Sequence, residues 1–185
     1  MSLFKKHTIK TPNSLKNFAL IKPTLKIIDK VLVNNKKKNQ ININSNVTII
    51  SAKIFAFHLG KISIGKNCYI GINCQIDACK EVTIGNYCMI SNNVIIQDHN
   101  SHPINKLHRR KQLLNLQKCS TNVYESKINK VIIGNDVWIG TDAMILKGVK
   151  VGNGSIIAAK AVITKNVPNN SIVAGNPAKI VKKIK

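Results

Sequence analysis

An aliphatic residue returns at every sixth position between Ile133 and Ile163: Ile133, Ile139, Ile145, Val151, Ile157 and Ile163. Gly134, Gly140 and Gly152 directly follow three of them. An amphipathic helix repeats after about 3.6 residues and a half-buried strand after about 2, so a period of six fits neither. A six-residue aliphatic period is the mark of a parallel β-helix, read here as left-handed. Each hexapeptide makes one side of a triangular coil. The aliphatic side chain points into the prism, and the next residue turns the corner, where glycine or another small residue is favoured.

The period also runs through Ile64-Gly65, Ile70-Gly71 and Ile76-Asp77, then through Ile84-Gly85, Ile90-Ser91 and Ile96-Gln97. The step from Ile76 to Ile84 is eight residues, which predicts two extra residues at one corner. Between Ile96 and Ile133 the period fails, and residues 98–130 read as a long loop ejected from the array. Such a loop is unusual and is often functional. The expected fold is all-β: a left-handed parallel β-helix of hexapeptide repeats over 41–170, with the loop at 98–130. A short N-terminal cap (1–40) and a C-terminal tail (171–185) flank it. Leu15, Phe18, Ala19, Leu20, Leu25, Ile27, Ile28, Val31 and Leu32 predict two short helical or irregular segments broken at Pro23. They would cap the open first coil, with a membrane-surface segment ahead of Lys36-Lys37-Lys38 as the alternative. The tail leaves the repeat through Pro168 and Pro177 and ends in lysines as a short helix or strand.

Charge sharpens the functional reading. The chain carries 29 basic and 7 acidic residues for a net +22, and only Arg109 and Arg110 are arginine. Either AT-rich coding bias explains the Lys, Ile and Asn, or the protein meets anions: nucleotide phosphates, an acidic polysaccharide, a membrane surface. Nucleic acid is disfavoured, since aromatics are 4% and no recognition motif is present. Cys68, Cys74, Cys79, Cys88 and Cys119 are odd in number and lack zinc-ligand spacing, so Cys68 and Cys74 are expected inside the prism. No secretory leader or membrane span is evident. A cytoplasmic protein is expected, with peripheral contact at the inner membrane face left open.

Three clusters carry candidate chemistry. Gln97-Asp98-His99-Asn100-Ser101-His102-Pro103-Ile104 lies where a rung ends and the loop begins, and histidine suits proton transfer near neutral pH. Trp138, the single tryptophan, sits just before a corner and either packs on the loop or stacks on a ligand. In 158–168 and 172–179, small residues permit close approach of an extended ligand, and lysines follow to meet phosphates.

The stretch 131–182, with Val137-Trp138-Ile139-Gly140-Thr141, then Val162-Ile163-Thr164-Lys165-Asn166-Val167-Pro168, then Ala174-Gly175-Asn176-Pro177-Ala178, resembles the left-handed β-helix (hexapeptide-repeat) acyltransferases. It is most similar to their maltose/galactoside and surface-polysaccharide O-acetyltransferase branch. The resemblance covers about residues 59–182 and leaves 1–40 outside. It implies a homotrimer with active sites between subunits, acetyl-CoA as co-substrate, no metal, and one histidine as general base. His102-Pro103-Ile104 matches the base motif, with His99 as runner-up. Asn93, Asp98, His99 and Trp138 fall at acceptor-side positions. Gly140, Thr141, Ala159, Thr164 and Lys165 fall along the coenzyme, while Lys179 and Lys182 stand where the family often has arginine.

The reaction then expected is O-acetylation of a sugar hydroxyl, as in a capsule or lipopolysaccharide, with an acidic glycan suggested by the charge. A backbone N–H near Gly140 would stabilise the oxyanion. Asp98 would either orient an imidazole or bond backbone at the loop start. Antibiotic acetylation and amino-sugar N-acetylation remain alternatives within the fold. A zinc site of His99, His102 and His108, as in a γ-type carbonic anhydrase, and a non-catalytic scaffold are readings from other classes.

Overall fold

In a computed structural model, residues 7–9, 20–21, 25–29, 31–34, 40–116 and 127–185 are described. After β1 (His7–Ile9) the chain winds through six coils of three short strands. These are β2 (Leu20–Ile21), β3 (Lys26–Ile27), β4 (Val31–Asn34); β5 (Ile41–Ile43), β6 (Thr48–Ile49), β7 (Ala52–Ala56); and β8 (Lys61–Ile64), β9 (Tyr69–Ile70), β10 (Cys74–Ala78). They continue as β11 (Glu81–Ile84), β12 (Met89–Ile90), β13 (Ile95–Gln97); β14 (Val131–Ile133), β15 (Trp138–Ile139), β16 (Met144–Ile145); and β17 (Lys150–Val151), β18 (Ile156–Ile157), β19 (Val162–Ile163). First, second and third strands stack into three separate sheets, so the fold is a parallel β-helix. Helix α1 (Lys106–Leu116) rises from the loop between β13 and β14.

The six-residue period is the stacking register itself. On the first side Ile43, Ile64, Ile84, Ile133 and Val151 lie directly above one another. On the second side Ile70, Ile90, Ile139, Ile157 and Val173 do so. On the third side Ile54, Ile76, Ile96, Ile145 and Ile163 do so. Every one of these is buried. Burial of an isoleucine contributes about 1.5–3 kcal/mol relative to exposure, so the three columns are the main source of cohesion.

A second, smaller inward position lies two residues before each aliphatic one. Cys68 and Cys74 occupy it, as expected, and Cys88 does too; each thiol approaches a corner carbonyl of the next coil. The Sγ atoms lie 3.1 Å from Gly85 O, 3.0 Å from Ser91 O and 3.1 Å from Gly134 O. Ser155 uses the same position to donate to Pro168 O at 2.7 Å. Corner asparagines form a further column: Asn86, Asn135, Asn153 and Asn169 each accept, through Oδ1, a backbone N–H from the coil before. Part of the asparagine and isoleucine content is therefore structural.

The corners leave no room. A Cβ on Gly85 would sit 2.5 Å from Gly134 O, because successive corners stack backbone on backbone. The third-to-first corner is the exception. The two extra residues between Ile76 and Ile84 lie there, and so does the long loop.

The N-terminal expectation needs correction. Where 14–33 is described it holds three strands joined by short irregular links and no helix: β2, β3 and β4 pair in parallel with β5, β6 and β7. The coil thus begins at Leu20, ahead of the boundary expected at residue 40, while Leu15, Phe18, Ala19 and Pro23 fall outside the described residues. The short irregular strands hide the period there. At the other end, β20 (Ser171–Gly175) extends the second side, and β21 (Ala178–Lys183) folds back on it antiparallel. Its exposed lysines blunt an otherwise open edge.

Gly85→Val forces two coils apart and should lower stability by at least about 1–3 kcal/mol, the usual cost of overpacking. Thermal unfolding followed by circular dichroism measures it, with a surface change such as Lys66→Ala leaving the melting temperature unchanged.

Candidate active site

Asp98 closes the third side and fixes the start of the loop. Its side chain is fully buried, and its oxygens accept the backbone N–H groups of Cys79 at 2.8 Å, Lys80 at 2.6 Å and Glu81 at 2.7 Å. Those are the residues of the widened corner one coil earlier, so a carboxylate satisfies donors that the bulge would leave unpaired. Of the two roles left open by the sequence, bonding backbone is the one this geometry serves. The loop's neck is zipped beside it: Asn129 N donates to Asp98 O at 2.8 Å, and Asn100 N to Lys127 O at 3.1 Å.

His99 points inward. It is buried, stands edge-on to Phe57 with ring centroids 5.9 Å apart, and neither ring nitrogen has a hydrogen-bond partner among the described residues. Burial lowers its pKa against a weaker raising by Asp98, so the ring is held toward the neutral form. His99, Cys79 and Asp98 form the one grouping of potential metal-ligand atoms among the described residues, all within 4.8 Å. It suits a cation poorly, since the Asp98 oxygens already accept three N–H groups and the Cys79 thiol is pushed up to about 12 by burial and the two nearby carboxylates. His99, His102 and His108 do not gather into such a group.

His102 is exposed and lines a cavity of about 490 Å³ with Lys106, Arg109, Arg110, Gln112 and Leu113. Its Nδ1 lies 3.0 Å from Oε1 of Gln112, a residue only 9% exposed. With the amide so oriented, Nδ1–H donates to Oε1, so in the neutral ring Nε2 is the nitrogen with the lone pair, the tautomer a general base requires. Helix α1 holds this arrangement. Asn105 Oδ1 caps it by accepting from Leu107 N at 2.9 Å and His108 N at 3.2 Å. Arg109 Nη1 ties the helix to the preceding loop through Pro103 O at 2.9 Å and Ile104 O at 3.0 Å.

Gln112 and the basic helix residues escaped the sequence reading. The signal was present: Asn105 is followed by eleven residues free of Gly and Pro, and Lys106, Arg109 or Arg110, and Leu113 recur three or four apart. What obscured it was the polar, weakly amphipathic character of the segment.

The other candidates fall into two places. Thr164, Lys165 and Lys179 line one cavity of about 350 Å³ between the last third-side strand and the terminal hairpin. Lys182 lies apart, in a cavity with Ile156 and Ile172. Gly140, Thr141 and Ala159 stack at the second-to-third corner, where a Cβ on Gly140 would meet Ala159 N at 2.6 Å. Gly140 itself does not supply the expected oxyanion donor, because its N–H is given to Ile157 O at 2.8 Å. Asn93 lies at the same kind of corner, in a ladder with Asn73 at 3.1 Å and Asp142 at 2.9 Å. Trp138 faces outward on the second side, 49% exposed, in register with Met89 and next to Tyr69 beyond it. Asn93 lies at the second-to-third corner before β13, and His102 lies in the loop beyond its other end.

The fold and these corners define a hexapeptide β-helix protein. Two hexapeptide families match: bacterial transferase hexapeptide (six repeats) over residues 130–165, and hexapeptide repeat of succinyl-transferase over residues 61–97. The chain is 29% identical over 149 residues to the putative lipopolysaccharide biosynthesis O-acetyl transferase WbbJ of Escherichia coli (strain K12), covering 80% of this chain and 74% of that one. It is 37% identical over 136 residues to the polysialic acid O-acetyltransferase of Escherichia coli O1:K1 / APEC, covering 72% of this chain but 40% of the relative. The structure of a galactoside acetyltransferase in complex with coenzyme A superposes with a TM-score of 0.59 at 24% identity, covering 94% of this chain and 69% of that one. The chain carries the hexapeptide repeat of bacterial transferases and is similar to sugar and surface-polysaccharide O-acetyltransferases, some of which it spans by less than two thirds of their length.

Asp77, near Asp98, gives the site a pH signature. Burial, together with Asp98, raises its pKa to about 6 against the lowering by Gln75 and Lys53. A carboxyl whose folded pKa lies above its unfolded value contributes stability at low pH that is lost as pH rises, here between about 4 and 6. Asp77→Asn should remove most of that fall and raise the melting temperature at pH 7. Unfolding at pH 4, 5, 6 and 7 tests it; parallel curves for the two proteins would contradict it.

Proposed function

We propose that the chain transfers an acetyl group from acetyl-CoA to a sugar hydroxyl, as in a surface polysaccharide, with His102 as general base. The observation that carries this reading is the His102–Gln112 hydrogen bond, which favours, for the neutral ring, the tautomer with its lone pair on Nε2, at the wall of an open cavity. In the step, Nε2 takes the hydroxyl proton while the sugar oxygen bonds to the thioester carbonyl carbon. The C–S bond then breaks, and the sulfur receives the proton, giving the acetyl ester and free coenzyme A. An unassisted hydroxyl is a weak nucleophile at neutral pH, and a positioned base typically contributes about 10²–10⁴-fold.

The chemistry of one cavity supports a seat for the coenzyme. Lys165 and Lys179 meet at one cavity with Thr164, a cationic lining suited to phosphates. The small corner residues Gly140 and Ala159 permit an extended arm to lie close to the backbone. Because one group of candidates lies at the second-to-third corner and the other in the loop beyond β13, the reading includes a homotrimer in which one subunit's second-to-third corner faces the next subunit's loop. The exposed row of Tyr69, Met89 and Trp138 gives that contact an apolar surface. Among the described residues no helix is long and apolar enough to cross a membrane.

Release of free thiol from acetyl-CoA with a panel of sugars tests the assignment. His102→Ala should lower kcat by about 10²-fold or more while the oligomer and melting temperature persist. Gln112→Leu should lower kcat without raising KM for acetyl-CoA, and Gln112→Glu, which restores an acceptor, should recover much of the loss. Undiminished turnover by His102→Ala would sink the assignment.

A further inference from the structure

We propose that the cavity beside His102 binds an acceptor sugar bearing a carboxylate, held by Arg110 and Lys106. The inference deepens the preceding reading and rests on His102 marking the reactive end of the acceptor. Among the described residues the cavity wall contains three cations, Lys106, Arg109 and Arg110, and no acidic side chain. Nearby Asp98 does not neutralise them, because it is buried and turned to three backbone N–H groups.

The choice of cation is informative. Lysine supplies every other positive side chain in the sequence, and the two arginines stand side by side here. Their roles differ. Arg109 holds the loop through the carbonyls of Pro103 and Ile104. The Arg110 side chain makes no hydrogen bond or ion pair among the described residues and lines the same cavity. A planar guanidinium matches a carboxylate through two parallel N–H···O bonds, which a lysine ammonium does not reproduce. Lys106, one turn earlier on α1, adds a second cation on the same face.

The remaining walls suit a sugar. Leu113 offers an apolar surface and the Gln112–His102 pair a polar one, and about 490 Å³ falls within the usual range for small-molecule pockets. A carboxylate on Arg110 would tether the ring while Nε2 of His102 addresses one of its hydroxyls. The protein's high positive charge then acts at long range to draw in a polyanion, and this pair acts at short range to select it.

The test separates this inference from the catalytic one by measuring binding in the full-length His102→Ala protein. Calorimetric titration compares a glucuronate-containing oligosaccharide and a sialic acid oligomer with a neutral glucose oligosaccharide of equal length. At least one acidic probe should bind about tenfold or more tightly than the neutral one, the scale expected of a charge-assisted contact. Adding Arg110→Ala or Lys106→Ala should each remove most of that preference, leaving the neutral sugar's affinity and the melting temperature unchanged. Equal binding of acidic and neutral probes, or a preference that survives both substitutions, overturns the proposal. A preference seen in protein whose His102 proves dispensable for turnover would support the anion site while rejecting the base.

Discussion

Backbone stacked on backbone at a fixed six-residue step is the constraint on which the molecule rests. Each coil must place an aliphatic side chain under the one above, and each tight corner must pass within van der Waals reach of its neighbour. Gly85 under Gly134 and Gly140 under Ala159 show how little clearance remains. Four residues separate the first and second strands in every coil from β5 onward, so length variation has nowhere to go on that edge. It goes to the third-to-first corner, which widens at 57–60, again at 79–80, and opens completely at 98–130.

That asymmetry separates two kinds of surface. The rigid edges hold small residues and asparagine columns, good for lying against an extended ligand. The permissive edge holds α1, whose side chains are free of the stacking rule and can be basic, bulky or catalytic. Asp98 joins the two regimes: it completes the backbone bonding of the corner below and anchors the neck of the loop above. Loss of that carboxylate would disturb both the coil and the aim of His102. The buried His99 belongs to the coil side of this join and His102 to the loop side, three residues later and exposed.

Much of this was legible in the sequence because a strict period survives any choice of outward residue. The columns through Ile133 and Ile163, the burial of Cys68 and Cys74, and the two-residue widening after Ile76 follow from spacing alone. The first coil was not legible, since its aliphatic residues around Pro23 lose the six-residue spacing and imitate a helical pattern. Nor was α1, whose polar composition hides its face. The partnership of His102 and Gln112 is a contact ten residues apart across a turn, and no local pattern announces it. Asn93 shows the converse: its position matches a family acceptor contact, yet its amide in this chain also serves a corner ladder.

A structure of the assembled protein with coenzyme A and a carboxylated acceptor glycoside tests the central claim most directly. The account predicts His102 Nε2 within hydrogen-bond reach, about 3 Å, of an acceptor hydroxyl. It also predicts Gln112 on Nδ1, and the coenzyme's thiol end arriving from the second-to-third corner of a neighbouring subunit. An acceptor hydroxyl on His99, or a coenzyme bound wholly within one chain away from α1, would contradict it.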